Sequence, residues 1–165
     1  MSIESDLQRI GEQETRLRFE RFDANTAWQL GSCLQSLAAA RAAAVAIDIR
    51  VNGQQLFFCA MPGTTPSNTD WIRRKSNTVN RFYRSSYAIG LGLQRDQTTL
   101  EAKTGASTAE FATHGGSFPI WVYGCGCIGS VTVSGLPQRQ DHALVVEALC
   151  QCLNLPLAEL ALDEG

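Results

Sequence analysis

The sequence lacks the short motifs that identify the commonest enzyme classes. It contains no G-x-S-x-G, P-loop, G-x-G-x-x-G, H-E-x-x-H or EF-hand pattern. These absences argue against the commonest hydrolases, nucleotide-binding proteins and metalloproteases. Histidine is also scarce: His114 and His142 are the only two. Any chemistry that needs an imidazole must therefore use one of them.

The chain lacks an excess of charge of either sign. Its 14 basic and 16 acidic residues give a formal net charge of −2. Affinity for nucleic acid or an anionic membrane needs a net basic field or a dense basic patch, so we expect neither as a partner. Residues 1–14 are polar and amphipathic, which predicts neither a signal peptide nor a membrane span. A cytoplasmic location is the default expectation.

The cysteines lack the C-x-x-C spacing of redox and metal motifs. We expect them to act mostly as buried small hydrophobic residues rather than to form disulfides. Cys125 and Cys127 share one face of a predicted strand, but a closed zinc site needs four nitrogen or sulfur ligands. Adding His114 and His142 gives no standard zinc spacing. The sequence therefore predicts no metal site.

The remaining composition is that of an ordinary globular protein. The chain has 165 residues, of which 44% are hydrophobic. This length fits one domain, residues 1–165, and it allows a sizeable core without metals or disulfides.

Residue periodicity predicts helices and a hairpin in the first part of the chain. A helix over 3–13 and a short strand over 16–21 precede a second helix. Asn52-Gly53, between strands 45–51 and 54–61, is a strong hairpin signal because a type I′ turn needs positive φ at both central residues. The second strand of this hairpin is apolar on both faces, so we expect it in the interior of the sheet.

The later part of the chain alternates helices with a second hairpin. A long third helix begins at Ser67 or Asn68 and continues to about Leu93, and capping-box patterns predict two short helices, the second ending at His114-Gly115. The remaining predicted elements are strands at 118–122 and 125–134 and a last helix from about 137 to 153. Mostly antiparallel strands with helices on their faces define an α+β layered domain.

Several runs of residues resemble a known family. Gly115-Gly116-x-Phe118-Pro119-Ile120, then Gly129-x-Val131-Thr132-Val133-Ser134-Gly135, and then Asp141-His142-Ala143 resemble the heme-degrading domain family, whose superfamily includes HbpS-like and GlcG-like proteins. The chain is more similar still to an uncharacterised branch found in bacteria and fungi. The runs shared with that branch include Ala27-Trp28-Gln29-Leu30-Gly31, Ala46-Ile47-Asp48-Ile49-Arg50, Pro62-Gly63-Thr64-Thr65-Pro66 and Trp71-Ile72-x-Arg74-Lys75. The resemblance covers roughly residues 5–153.

The resemblance implies a fold and a class of ligand. It implies a profilin-like α-β-α sandwich with a mostly antiparallel five-stranded sheet, assembled into homo-oligomers. Some HbpS-like members bind heme, so it also implies heme as a cofactor or ligand. A shared fold does not transfer chemistry by itself, and the reaction class stays open.

Two segments carry the candidate site residues, each with a structural alternative. His114 is either a ligand contact or acid–base group or a residue at a helix end. Asp141 and His142 are either site residues or a helix-dipole partner and a packing residue. The turn after Ser134-Gly135 offers backbone amides that could receive an anion. Lys75 is the most interesting member of a basic third helix, which otherwise forms a solvated face or contacts an acidic surface.

The leading hypothesis is a small-molecule-binding oligomer whose ligand is heme or another planar or anionic compound. The candidate ligand-binding residues are Lys75, His114, Gly115, Gly116, Phe118, Ser134, Gly135, Asp141 and His142. The candidate heme-iron ligands are Met61, Cys59 and His114. One alternative is an enzyme that acts on a small acid with His114 or His142 as general base beside Arg50 or Lys75. The other is a non-catalytic assembly or interaction protein, in which the basic helix and apolar strands make subunit or partner contacts. Asp48 and Arg50, which share one face of a strand, are either a site pair or a structural ion pair.

Overall fold

A four-stranded antiparallel sheet forms the centre of the computed structural model, which describes residues 2–163. The strands are β1 (Ala46–Val51), β2 (Gln54–Ala60), β3 (Ser117–Val122) and β4 (Gly126–Ser134). The helices are α1 (Ile3–Arg16), α2 (Ala24–Ala40), α3 (Pro66–Phe82), α4 (Ser86–Arg95), α5 (Leu100–Thr104), α6 (Gln138–Leu153) and α7 (Leu157–Leu160). The mixed α+β class with an antiparallel sheet is confirmed.

The expectation of five strands is wrong for the described residues, which form four. The predicted strand at 16–21 is reduced to one bridge, in which Phe19 pairs with Val122 of β3. The α1 helix continues through Arg16 and ends at its cap, Leu17. Too few extended residues remain after this cap for a strand that pairs along its length.

The strand order is β2-β1-β4-β3, so β2 lies at an edge of the sheet. The prediction that this strand is interior is therefore wrong. Asn52 and Gly53 have φ values of 50° and 81° and close the β1–β2 hairpin, as a type I′ turn requires. The apolar run of β2 has another cause: Phe57 packs beneath α2, while Phe58 lies on the opposite face of the sheet.

Helices cover the two faces of the sheet unequally. The α2 and α6 helices bury an apolar layer that includes Leu30, Ile47, Val131 and Leu144. Successive strand residues point to opposite faces, so Ser130 and Thr132 of β4 lie on the other face, where α3 packs. That second layer is polar, and Ser76 of α3 shares a hydrogen bond of 2.8 Å with Ser130.

Two helix predictions fail for identifiable reasons. The long third helix divides at Tyr83, which adopts a left-handed conformation with φ of 55°. The Glu14 carboxylate then accepts hydrogen bonds from Arg84 and from the Ser85 backbone, which fixes the break. The helix predicted to end at His114 is absent, because α3 bonds to that backbone instead. Thr78 donates to the Ala112 carbonyl at 2.7 Å.

Within residues 2–163, no helix combines the length and the apolar character needed to cross a membrane.

Candidate functional site

Lys75 joins the two segments in which the sequence placed its candidate site. Its ammonium group donates to the Asp141 carboxylate at 3.0 Å and to the Val133 carbonyl at 3.1 Å, and the side chain is buried. Gly116 packs directly on this group: a Cβ there would lie 2.8 Å from Lys75 Nζ and 2.4 Å from the Val133 carbonyl oxygen. The glycine is thus required by close packing, and the Lys75 side chain fills the space between the segments.

Asp141 takes the backbone amides that were expected to receive an anion. Its carboxylate accepts from Leu136 N at 2.9 Å and from Gly135 N at 3.4 Å. Burial raises the pKa of Asp141, and Lys75 opposes that shift. Burial likewise lowers the pKa of Lys75, opposed by Asp141. The turn is therefore closed by a carboxylate of the chain itself.

His142 lies in the core, away from solvent. Its Nε2 is 2.8 Å from the Gln13 side-chain oxygen, while the Gln13 amide donates to the Leu160 carbonyl. This arrangement assigns the proton to Nε2 and leaves Nδ1 as a buried acceptor without a partner among the described residues. Burial lowers the pKa of His142 to about 3. Phe118, another predicted site residue, is buried against the same ring.

His114 is exposed and lies outside that cluster. Its ring meets Trp71 edge-on with centroids 5.0 Å apart. Partial burial, reinforced by the charges of Lys75 and Arg74, lowers the pKa of His114. The neighbouring Gly115 amide donates to the Gln138 side chain at 3.2 Å, which ties this corner to the start of α6. His114 is thus a mostly neutral surface imidazole near pH 7.

A large open groove lies elsewhere, between α3 and the β1–β2 hairpin. Its volume is about 940 Å³, at the upper end of the range typical for small-molecule sites. Its lining includes Asp48, Arg50, Gln55, Phe58, Ser76 and Asn77. None of the nine predicted ligand-binding residues lines it.

The floor of the groove carries a buried carboxylate. Asp48 accepts a hydrogen bond of 2.5 Å from Gln55 and pairs with Arg50 at 3.1 Å. Burial raises the pKa of Asp48, while Gln55 and Arg50 oppose the shift. Within residues 2–163, the hydrogen bond from Nε to Asp48 is the only one that the Arg50 side chain makes, so both terminal amino groups are available. The sequence signal was Asp48-x-Arg50 on the polar face of an otherwise apolar strand.

The basic residues of α3 are largely neutralised by partners in the chain. Arg73 pairs with Asp70 and Glu110, and Arg74 pairs with Asp70 and stacks on Trp71. Intramolecular contacts of this kind hold the segment after α5 against α3. The helix does not present a free cationic stripe to an acidic partner or a carboxylate ligand.

The groove does not fit a heme that needs a protein ligand to its iron. Such ligands are commonly His, Cys, Met or Tyr, and none of these lines the groove. Met61 is buried in the apolar core, and Cys59 packs against it. Because His142 is enclosed in the core, His114 is the histidine in the described part of the chain that solvent, and therefore a heme, can reach. The groove also contains no histidine to act as a general base beside Arg50.

The fold and the groove define an α+β protein whose antiparallel sheet has helices on both faces and a groove on the face that α3 covers only in part. The model of the family described as "Haem degrading protein HbpS-like" matches residues 22–150, and the chain belongs to this family. The UPF0303 protein of Sinorhizobium medicae is 56% identical over 163 residues, which cover 99% of each chain. The resemblance stated from the sequence is confirmed.

Solved structures agree with this assignment. The Ybr137w protein matches with a TM-score of 0.83 and 31% identity over 90% of this chain and 87% of that one. A PduOC:heme complex matches with a TM-score of 0.68 and 18% identity over 82% of this chain and 97% of that one. At 18% identity, the similarity to the PduOC:heme complex shows that the two proteins share a fold.

Proposed function

We propose that the protein binds a small planar anionic molecule in the groove between α3 and the β1–β2 hairpin. One observation carries the proposal: Arg50 is held in place by the buried Asp48 carboxylate, and its terminal amino groups are available inside a groove of about 940 Å³. A guanidinium group suits carboxylate and phosphate because its donors match their geometry in a planar fork. The ring of Phe58 supplies an apolar wall.

We propose this groove as the ligand site instead of the cluster around Lys75 that the sequence suggested. The Lys75 ammonium and the Gly135 and Leu136 amides already have acceptors within the chain. Displacing them would leave buried charges unpaired, which costs several kcal/mol. The groove needs no such exchange.

Phenyl phosphate and benzoate are suitable probes because each joins one planar ring to one anionic group. Calorimetric or NMR titration should detect binding to the wild type, and Arg50→Gln should weaken it about tenfold or more, since a hydrogen bond to a charged group contributes about 1.5–3 kcal/mol. Arg50→Lys should give intermediate binding, because lysine keeps the charge and loses the fork. Arg21→Gln is the matched control, since Arg21 is exposed and lies outside the groove.

Benzyl alcohol, which has the ring without the charge, should bind more weakly than either probe. Absence of binding up to about 10 mM phenyl phosphate and benzoate, a limit of only about 3 kcal/mol, would contradict the proposal. Equal affinity in the wild type and Arg50→Gln would move the site away from Arg50.

Hemin belongs in the same titration, because the family and the PduOC:heme neighbour both point to heme. If heme is the ligand, the Soret band should shift on binding, and the shift should be lost in His114→Ala and kept in Arg50→Gln. The hemin titration and the probe titrations therefore distinguish heme binding at His114 from organic-anion binding in the groove. Assembly into a homo-oligomer is part of the proposal.

A further inference from the structure

The β2 strand is an edge without the usual protection. Within the described residues it pairs with β1 alone, so the hydrogen-bonding groups on its other side face outward. Natural sheets usually protect such an edge with lysine, proline, a covering segment or a bulge. The sequence of β2, Gln-Gln-Leu-Phe-Phe-Cys-Ala, has no charge and no proline. A single irregularity opposite Ile49 and Arg50 is its only protection among these devices.

The opposite edge of the same sheet is covered. The Phe19 amide donates to the Trp121 carbonyl at 2.8 Å, and its carbonyl accepts from Tyr123 at 3.0 Å. Pro119 removes one donor from β3, and the Arg18 guanidinium lies 4.3 Å from the Trp121 ring centre. The contrast makes the bare β2 edge a particular feature of this sheet.

Charge is absent from α2 and from the stretch of chain that includes β2. All 17 residues of α2, which lies over β2, are uncharged, and so is the chain from 51 to 69. Charged residues make up 18% of the whole protein, so both long gaps fall on the same flank. Depletion of charge with enrichment in aromatic residues is the composition of an interface core.

Aromatic side chains stand on both sides of this edge. Trp28 of α2 is 66% exposed and packs edge-on against Phe57 in the middle of β2. Phe58 is 41% exposed on the other face of the sheet. A partner that continues the sheet would cover both.

We infer that the occupant of this edge is a second copy of the chain, paired antiparallel through β2. An antiparallel edge is complementary to itself, because a two-fold axis perpendicular to the sheet brings donors opposite acceptors. The same axis brings residues that lie close to it, such as Phe57 in the middle of β2 and Trp28 packed against it, near their own copies. A charge at such a position would meet a like charge. The uncharged residues of α2 and β2 satisfy this condition. The charges of the neighbouring strand, Asp48 and Arg50, lie in the groove.

The two-fold axis would also set where the two grooves lie, a consequence that rests on the proposed function. It keeps both grooves on the same face of the joined sheet, with the Gln55 and Phe58 side chains of both copies between them. Each ligand site would then border the other subunit.

The molar mass of the ligand-free protein tests the pairing without reference to any ligand. Light scattering after size exclusion should give at least twice 18.0 kDa for the wild type at about 100 µM, a concentration that populates any dimer of micromolar affinity. Trp28→Glu and Trp28→Lys should each lower the mass, because like charges would meet at the axis. Tyr123→Lys, which changes another exposed aromatic residue at the far hairpin, should not.

Mixing Trp28→Glu with Trp28→Lys should restore the wild-type mass, since opposite charges then face each other. Hydrogen exchange should show amides of 54–60 more protected in the wild type than in either single variant. A monomeric wild type would overturn the inference, as would unchanged masses in both Trp28 variants. Failure of the probe titrations with a mass that responds to Trp28 would overturn the ligand site and leave the dimer.

Discussion

At the scale of single residues, His142 makes the stability of the fold depend on pH. Its pKa is about 3 in the folded protein, against an ordinary value of 6.5. The fold therefore favours the neutral imidazole. As the pH falls below 6.5, the unfolded chain binds a proton that the folded chain does not, and the free energy of unfolding decreases.

We predict that His142→Gln reduces this acid sensitivity. The wild type should lose up to about 1.4 kcal/mol of stability per pH unit through this residue between pH 6 and 4. The variant should be less stable than the wild type at pH 8, with a smaller difference at pH 4. Urea unfolding at each pH measures the slopes, and His114→Gln, an exposed histidine, is the control. Parallel slopes for His142→Gln and the wild type would refute the assignment of this titration to His142.

The sequence did not give the partners that its candidate residues contact in the fold. Asp141 could be recognised as favourable near the start of a helix, and this is where it lies. Its contact with Lys75 joins residues 66 positions apart, and that of His142 with Gln13 spans 129 positions. Neither pair leaves a local pattern in one sequence. Gln13 was missed because nothing in α1 distinguishes it from a surface glutamine.

At the scale of elements, the Lys75–Asp141 pair links α3, on one face of the sheet, to α6 on the other. Both side chains are almost fully buried. Breaking such a pair by removing one partner leaves an uncompensated buried charge, which typically costs about 3–5 kcal/mol. Lys75→Met and Asp141→Asn should each lower the free energy of unfolding by about this amount.

The double variant tests whether the two changes act through the same contact. Lys75→Met with Asp141→Asn should cost at least about 1 kcal/mol less than the sum of the single changes, because neither charge is then left alone. Lys103→Met removes an exposed lysine paired with Asp96 and should change stability by less than about 1 kcal/mol. Additive single effects would show that the pair does not couple the helices.

Element boundaries followed the sequence where local chemistry decided them. Ser2 caps α1 where the predicted first helix begins, and Asn52-Gly53 closes the hairpin as predicted. The third helix and the segment before His114 depended on distant partners, namely Glu14 for the break after Tyr83 and Thr78 for the Ala112 carbonyl. Capping-box patterns satisfy amides locally, but here α3 offered the same backbone a competing set of hydrogen bonds.

At the scale of the whole molecule, the order of the strands decides which surfaces remain open. The sequence indicated the two hairpins, and their antiparallel character followed from their short turns. The pairing of β1 with β4 joins the hairpins and leaves β2 at the edge. This pairing depends on contacts between distant parts of the chain. The groove also follows from this order, because α3 lies mainly over β4 and β3 and leaves the hairpin half of its face uncovered.

A dimer joined through β2 makes thermal stability depend on protein concentration. Unfolding then includes dissociation, so a tenfold higher concentration adds about 1.4 kcal/mol per dimer to the free energy of unfolding. For a dimer of this size, that corresponds to a rise of about 2 °C in the Tm. Calorimetry over two decades of concentration should show this rise in the wild type and in Tyr123→Lys. The Tm of Trp28→Glu should stay constant, because its unfolding releases no partner. A constant Tm in the wild type over this range would show that folding and association at β2 are not linked.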